Sequence, residues 1–102
     1  MRLVRALPKN TINNIFASQI IRSSCSVGAN YIEANESLGK KDFLMRTRIS
    51  RKEAKETIYW LKLIIENNTE LENRINPLLQ ETTELLKIFS SIIEKSKDTQ
   101  KD

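Results

Sequence analysis

The chain is 102 residues long, with 39% hydrophobic and 29% charged residues, which gives room for one domain around one core. It contains no histidine and one cysteine. That excludes a histidine general base, an internal disulfide framework and a zinc site built by this chain alone. Two glycines and two prolines are too few for the turns of a strand-rich small domain, so the expected fold is all-α.

The net charge of +4 is unevenly spread: residues 1–39 carry +2, residues 40–65 carry +5 and residues 66–102 carry −3. A basic centre beside an acidic region fits an anionic partner, or charge matching between copies of the chain. No apolar run is long enough to span a bilayer, and the opening Met1 to Pro8 is too short and too charged for a signal-peptide core. The expectation is a soluble cytoplasmic protein with no membrane role.

The first element is a stub over residues 2–7, ended by Pro8. Asn10 or Thr11 then caps a second helix over residues 11–36, whose apolar stripe is Ile12, Ile15/Phe16, Ile20, Val27, Tyr31 and Ala34. Its middle, Ser23 to Ala29, is made of small residues that let a neighbouring helix approach closely, and Gly28 is a candidate kink. Cys25 sits within this stretch and reads as a buried structural thiol.

Asn35 to Gly39 form a turn, and a third helix spans residues 40–68 with Asp42 in its first turn, where a negative charge suits the helix dipole. Phe43, Thr47, Ser50, Ala54, Ile58, Leu61 and Ile65 recur at helical spacing and form its expected core face. After a short turn or loop, Asn76-Pro77 reads as a cap followed by proline at the first helical position, which opens a fourth helix over residues 77–95. Its apolar residues are Leu78/Leu79, Thr82, Leu85/Leu86, Phe89 and Ile92/Ile93, and the tail from Ser96 is expected to fray. The whole chain, residues 1–102, is expected to be one helical-bundle domain.

The sharpest surface feature lies on the third helix. Lys41, Met45, Arg48, Lys52, Lys55, Tyr59 and Lys62 step by four and three residues in alternation and form one stripe. Lys41 precedes Phe43 by two residues, about 200° of helical rotation, so the stripe faces away from the core. Arg46 and Arg51 widen the basic surface. Such a face offers cations to phosphates and Tyr59 to a base. It also fits a solvated face, or one that meets the acidic fourth helix of another copy. Tyr59 and Trp60 point about 100° apart, so one is expected at the core's edge and the other at an interface.

Catalytic chemistry has little to work with. Glu33, Glu36, Glu53 and Glu56 are present, but the Glu-x-x-His pairs of di-metal bundles are absent, and no cofactor is expected. Glu33, beside the apolar face of its helix, is expected to form a partly buried ion pair with Lys52 or Lys55.

Three phrases carry a resemblance to a known family: Ser24 to Ala34, Lys40 to Phe43, and Ile49 to Leu61. The segment from Ser18 to Ile65 resembles the small four-helix bundle proteins first noticed in intervening sequences of bacterial 23S ribosomal RNA genes. That resemblance implies an antiparallel up-down four-helix bundle, often a ring-like homopentamer. A related group, the accessory variability determinants of diversity-generating retroelements, is basic and pentameric and binds nucleic acid and a reverse transcriptase. The resemblance also implies a fuller first helix than residues 1–7 supply: either the chain begins inside that helix or upstream sequence is absent, and part of the apolar groove is left for a partner.

Two readings follow. One is a non-enzymatic homo-oligomer that binds RNA or DNA through Lys41, Arg46, Arg48, Arg51, Lys52, Lys55, Tyr59 and Lys62. The other is a structural or protein-interaction module, with the same stripe matched to a protein surface.

Overall fold

The computed structural model describes residues 1–100, with side chains described as far as residue 97. Four helices follow in order: α1 (Arg2–Ala6), α2 (Thr11–Asn35), α3 (Lys40–Asn67) and α4 (Glu72–Gln100), with one turn of 3-10 helix at Thr69–Leu71 before α4. No strand occurs among the described residues. Short connections make the helices run up and down a rod of 52 × 20 × 17 Å. The middle helix, α3, packs against both α2 and α4. The architecture is an all-α bundle whose first described helix, α1, has five residues.

Local chemistry explains the breaks. Leu7 ends α1 with an extended backbone, φ −69° and ψ 132°, because the proline that follows disfavours the helical conformation before it. Asn10 caps α2, accepting from the Asn13 backbone N–H at 2.8 Å. Gly39 precedes α3, and Asp42 in its first turn accepts from the Ser37 hydroxyl at 2.9 Å. At the opposite end of the rod, Asn13 and Asn68 exchange two amide hydrogen bonds of 2.9 Å each. Asn13 donates also to the Pro8 carbonyl and Asn68 to that of Ile64, so both buried amides are satisfied. This clamp ties the α1–α2 turn to the end of α3.

The core is uneven along the rod. At the α1 end Leu3, Leu7, Ile20, Leu61, Ile64 and Ile75 form a closed apolar cluster. Further along, α2 and α3 meet through small side chains. Thr57 Oγ1 donates to Ser23 Oγ at 2.9 Å, Ser50 Oγ donates to the Val27 carbonyl at 3.0 Å, and Ala54 is wholly buried. A smaller cluster of Val27, Ala54 and Phe89 follows.

Several expectations are corrected. The fourth helix begins at Glu72, and Pro77 lies inside it. Ile75 is the reason: its fully buried side chain holds the helix upstream of the proline, which removes one backbone donor but does not stop the helix. The helix also runs on to Gln100, beyond the expected end at residue 95; the last two tail residues lie outside the described residues. On α2, Ile12 and Ile15 are exposed and Asn13 is buried, because the clamp to Asn68 sets the rotation of that turn. On α3, Leu44, Thr57 and Ile64 are buried, whereas Phe43, Ile58 and Ile65 are only half-buried. The helix α2 is continuous through Gly28, and a Cβ placed there would meet nothing within 4 Å, so this glycine serves neither a kink nor a close approach. Cys25 is exposed, not buried, since it stands about 200° round the helix from both Ser23 and Val27, which face α3.

Candidate nucleic-acid interface

The stripe read from the sequence is one open face of α3. Lys41, Met45, Arg48, Lys52, Lys55, Tyr59 and Lys62 are all exposed. Opposite them Thr47, Ser50, Ala54 and Leu61 point into the core, which fixes the helix's rotation and holds the stripe outward. From Lys41 to Lys62 the face runs about 32 Å at ~1.5 Å per residue. Glu66, one step further at the same spacing, closes it with a carboxylate.

Charge is sorted across the helix. The three acids of residues 40–65 are Asp42, Glu53 and Glu56. Glu53 is buried, and its Oε2 lies 3.2 Å from Nη1 of Arg22 on α2. Glu56 pairs with Nη2 of the same arginine and accepts from Trp60 Nε1 at 3.2 Å. Gln19 holds the guanidinium from behind, its Oε1 accepting from Arg22 Nε at 3.1 Å. Two of the three acids are thus drawn to the α2 seam, and Asp42 takes the Ser37 hydroxyl. Lys41, Arg48, Lys52, Lys55 and Lys62 form no ion pair among the described residues.

Two of the basic residues expected to widen the surface do not stand on its crest. Arg46 is half-buried and turned toward α2, donating from Nη1 to Asn30 Oδ1 at 3.2 Å, with Nε 3.9 Å from Asp42 Oδ1. Arg51 is half-buried between the stripe and the core. Glu33 is exposed and pairs with neither Lys52 nor Lys55; the ion pair across α2 and α3 is made by Arg22 with Glu53 and Glu56 instead. Sequence spacing holds a signal for it: Glu53 lies on the same side of α3 as the buried Thr57 and Ile64, so it needs a cation from the facing helix.

Tyr59 is 55% exposed and its ring is supported from below. Its centroid lies 5.1 Å from that of Trp60 in an edge-on arrangement, and Trp60 packs 6.1 Å from Phe16 at the margin of the larger core cluster. Tyr59 is the residue at the open face and Trp60 the one at the core's edge. Nothing in the geometry indicates catalysis: no group of three or more metal-binding side chains occurs among the described residues.

The 23S rRNA-intervening sequence protein model matches residues 1–91. The chain belongs to that family. Among solved structures, a protein of unknown function from the S23 ribosomal protein family of Bacteroides thetaiotaomicron is 34% identical, with a TM-score of 0.76 over 89% of this chain and 81% of that one. No curated protein matches the chain. Membership in the 23S rRNA-intervening sequence family accounts for the bundle and its phrases on α2 and α3, and brings no established activity. No helix among the described residues is long and apolar enough to cross a membrane.

Proposed function

We propose that this chain is a non-enzymatic, homo-oligomeric bundle protein of the cytoplasm that binds RNA or DNA through the outer face of α3. The observation that carries the reading is the sorting of charge: five exposed cations lie on one straight face without carboxylate partners among the described residues, while Glu53 and Glu56 of the same helix are held at the α2 seam. A row of unpaired cations is the electrostatic footprint of a phosphate backbone. Self-association is supported by the apolar residues left open on α2 and α4, among them Ile21, Ile32, Leu78, Leu85 and Ile88. An apolar groove beside α1, lined by Met1, Leu3, Ile20, Leu61 and Leu78, adds to this surface. A ring-like pentamer, as the family resemblance implies, and a protein partner such as a reverse transcriptase belong to the same proposal.

The test is charge reversal. Arg48→Glu, Lys52→Glu and Lys55→Glu together are expected to abolish the retardation of labelled RNA and DNA at about 50 mM salt, without changing the mass measured by light scattering. Unchanged binding by that triple variant removes α3 from the interface. A protein that binds neither nucleic acid, yet sediments as an oligomer, fits an interaction module with the stripe facing protein.

A further inference from the structure

The order of residues along the face goes beyond a basic stripe. Lys41, Met45 and Arg48 form one group, and Lys55, Tyr59 and Lys62 form another with the same spacing, with Lys52 between them. In each group an apolar or aromatic side chain sits in a gap of about 10.5 Å between two cations. Met45 is 45% exposed and Tyr59 is 55% exposed, so both gaps open to solvent. We propose that this face selects single-stranded over duplex nucleic acid, seating unpaired bases on Tyr59 and Met45 and the flanking phosphates on the cations. The inference rests on the reading of this face as a nucleic-acid interface.

Shape decides against the duplex. The major groove of duplex DNA, about 12 Å wide, admits a single helix. Here α3 is packed against both α2 and α4 in a rod 20 × 17 Å across, so only its outer face, and not the whole helix, can approach a groove. The major groove of an RNA duplex is narrower and deeper still. A duplex keeps its bases paired and stacked, so it offers this face phosphates and base edges but no open base face for Tyr59 and Met45. A single strand turns its bases outward, and each presents a π-face that stacks on an aromatic ring whatever its identity. The thioether of Met45 offers a polarisable contact of the same kind.

The Tyr59 seat is already ordered. Trp60 meets the Tyr59 ring edge-on at 5.1 Å and is itself fixed by Phe16 and by its hydrogen bond to Glu56. A ring held before binding loses little freedom when a base stacks on it. The length of the face, about 32 Å, places the site toward the short end of the roughly 4–16 nucleotides typical of single-strand binders.

The experiment compares a labelled oligouridine, an oligothymidine and a hairpin duplex of equal charge, by fluorescence anisotropy at about 50 mM salt. The wild-type chain is expected to hold either single strand at least ~10-fold more tightly than the duplex, with a change in Trp60 emission on binding. Tyr59→Ala is expected to weaken single-strand binding roughly 5- to 100-fold and leave duplex binding within about twofold, and Tyr59→Phe is expected to stay near wild type. Equal affinity for single strand and duplex, with Tyr59→Ala silent, overturns the inference and leaves a phosphate-binding face. Absence of binding to all three probes overturns the inference together with the reading beneath it. An unchanged circular-dichroism melt for Tyr59→Ala separates loss of the seat from loss of the fold.

Discussion

Along the inner side of α3, Thr47, Ser50, Ala54, Thr57 and Leu61 are closed to solvent, and their small or apolar side chains let α2 and α4 come near. Half a turn round, Lys41, Arg48, Lys52, Lys55 and Lys62 stand in solvent without an ion-pair partner among the described residues. The inner face has close neighbours at almost every position, so change there is expected to be felt as stability. On the outer face Tyr59 rests on Trp60, while the five cations form no ion pair among the described residues, so change at the cations is expected to be felt mainly in what the protein binds. On the proposed reading, one helix separates folding from recognition by rotation alone.

The comparison breaks most sharply with Leu61→Ala. This side chain is 2% exposed within the larger cluster, and its loss is expected to cost about 2–5 kcal/mol in a chemical-denaturation curve. A cost below about 1 kcal/mol would mean that the inner face is not packed as described. Ala54→Leu adds volume at a wholly buried position between helices and is expected to cost about 1–3 kcal/mol, read the same way. Asn13→Leu removes one half of the reciprocal amide pair, strands the buried Asn68, and is expected to cost about 1–3 kcal/mol; a matching Asn68→Leu change is expected to recover part of it. At the small end, the triple reversal Arg48→Glu, Lys52→Glu and Lys55→Glu is expected to move stability by no more than about 0.5 kcal/mol per site. A large loss of stability in that variant would show that the outer face is engaged in the assembled protein.

How much of this was legible in the sequence depended on spacing. The period of the third helix placed both faces of α3, because a helix 28 residues long repeats its pattern often enough to fix a direction. The exposed stripe could be read from rotation alone, as could the divergence of Tyr59 and Trp60; the packing of Trp60 on Phe16 assigns which of the two lies at the core's edge. Where the pattern failed on α2, a polar residue had displaced an apolar one. Asn13 and Asn68 lie 55 positions apart, and their pairing turns the first part of α2 so that Ile12 and Ile15 face out. No local period reports a partner at that distance. Pro77 misled in the opposite way. Asn76-Pro77 has the composition of a helix start, but Ile75 is buried in one cluster with Ile20, Leu61 and Ile64, and tertiary packing carries the helix back to Glu72. Glu33 stands beside apolar neighbours in sequence, but the ion pair between α2 and α3 is made by Glu53 and Glu56 with Arg22, which no local pattern on either helix reports.

The measurement that bears most directly on the role of α3 is the salt dependence of binding to a short single-stranded oligonucleotide. If five cations contact phosphate, a plot of log affinity against log salt concentration is expected to fall with a slope of about −3.5, and reversal of Arg48, Lys52 and Lys55 to make it shallower by about 2. A slope near zero, or one indifferent to those three residues, would contradict a phosphate-binding outer face.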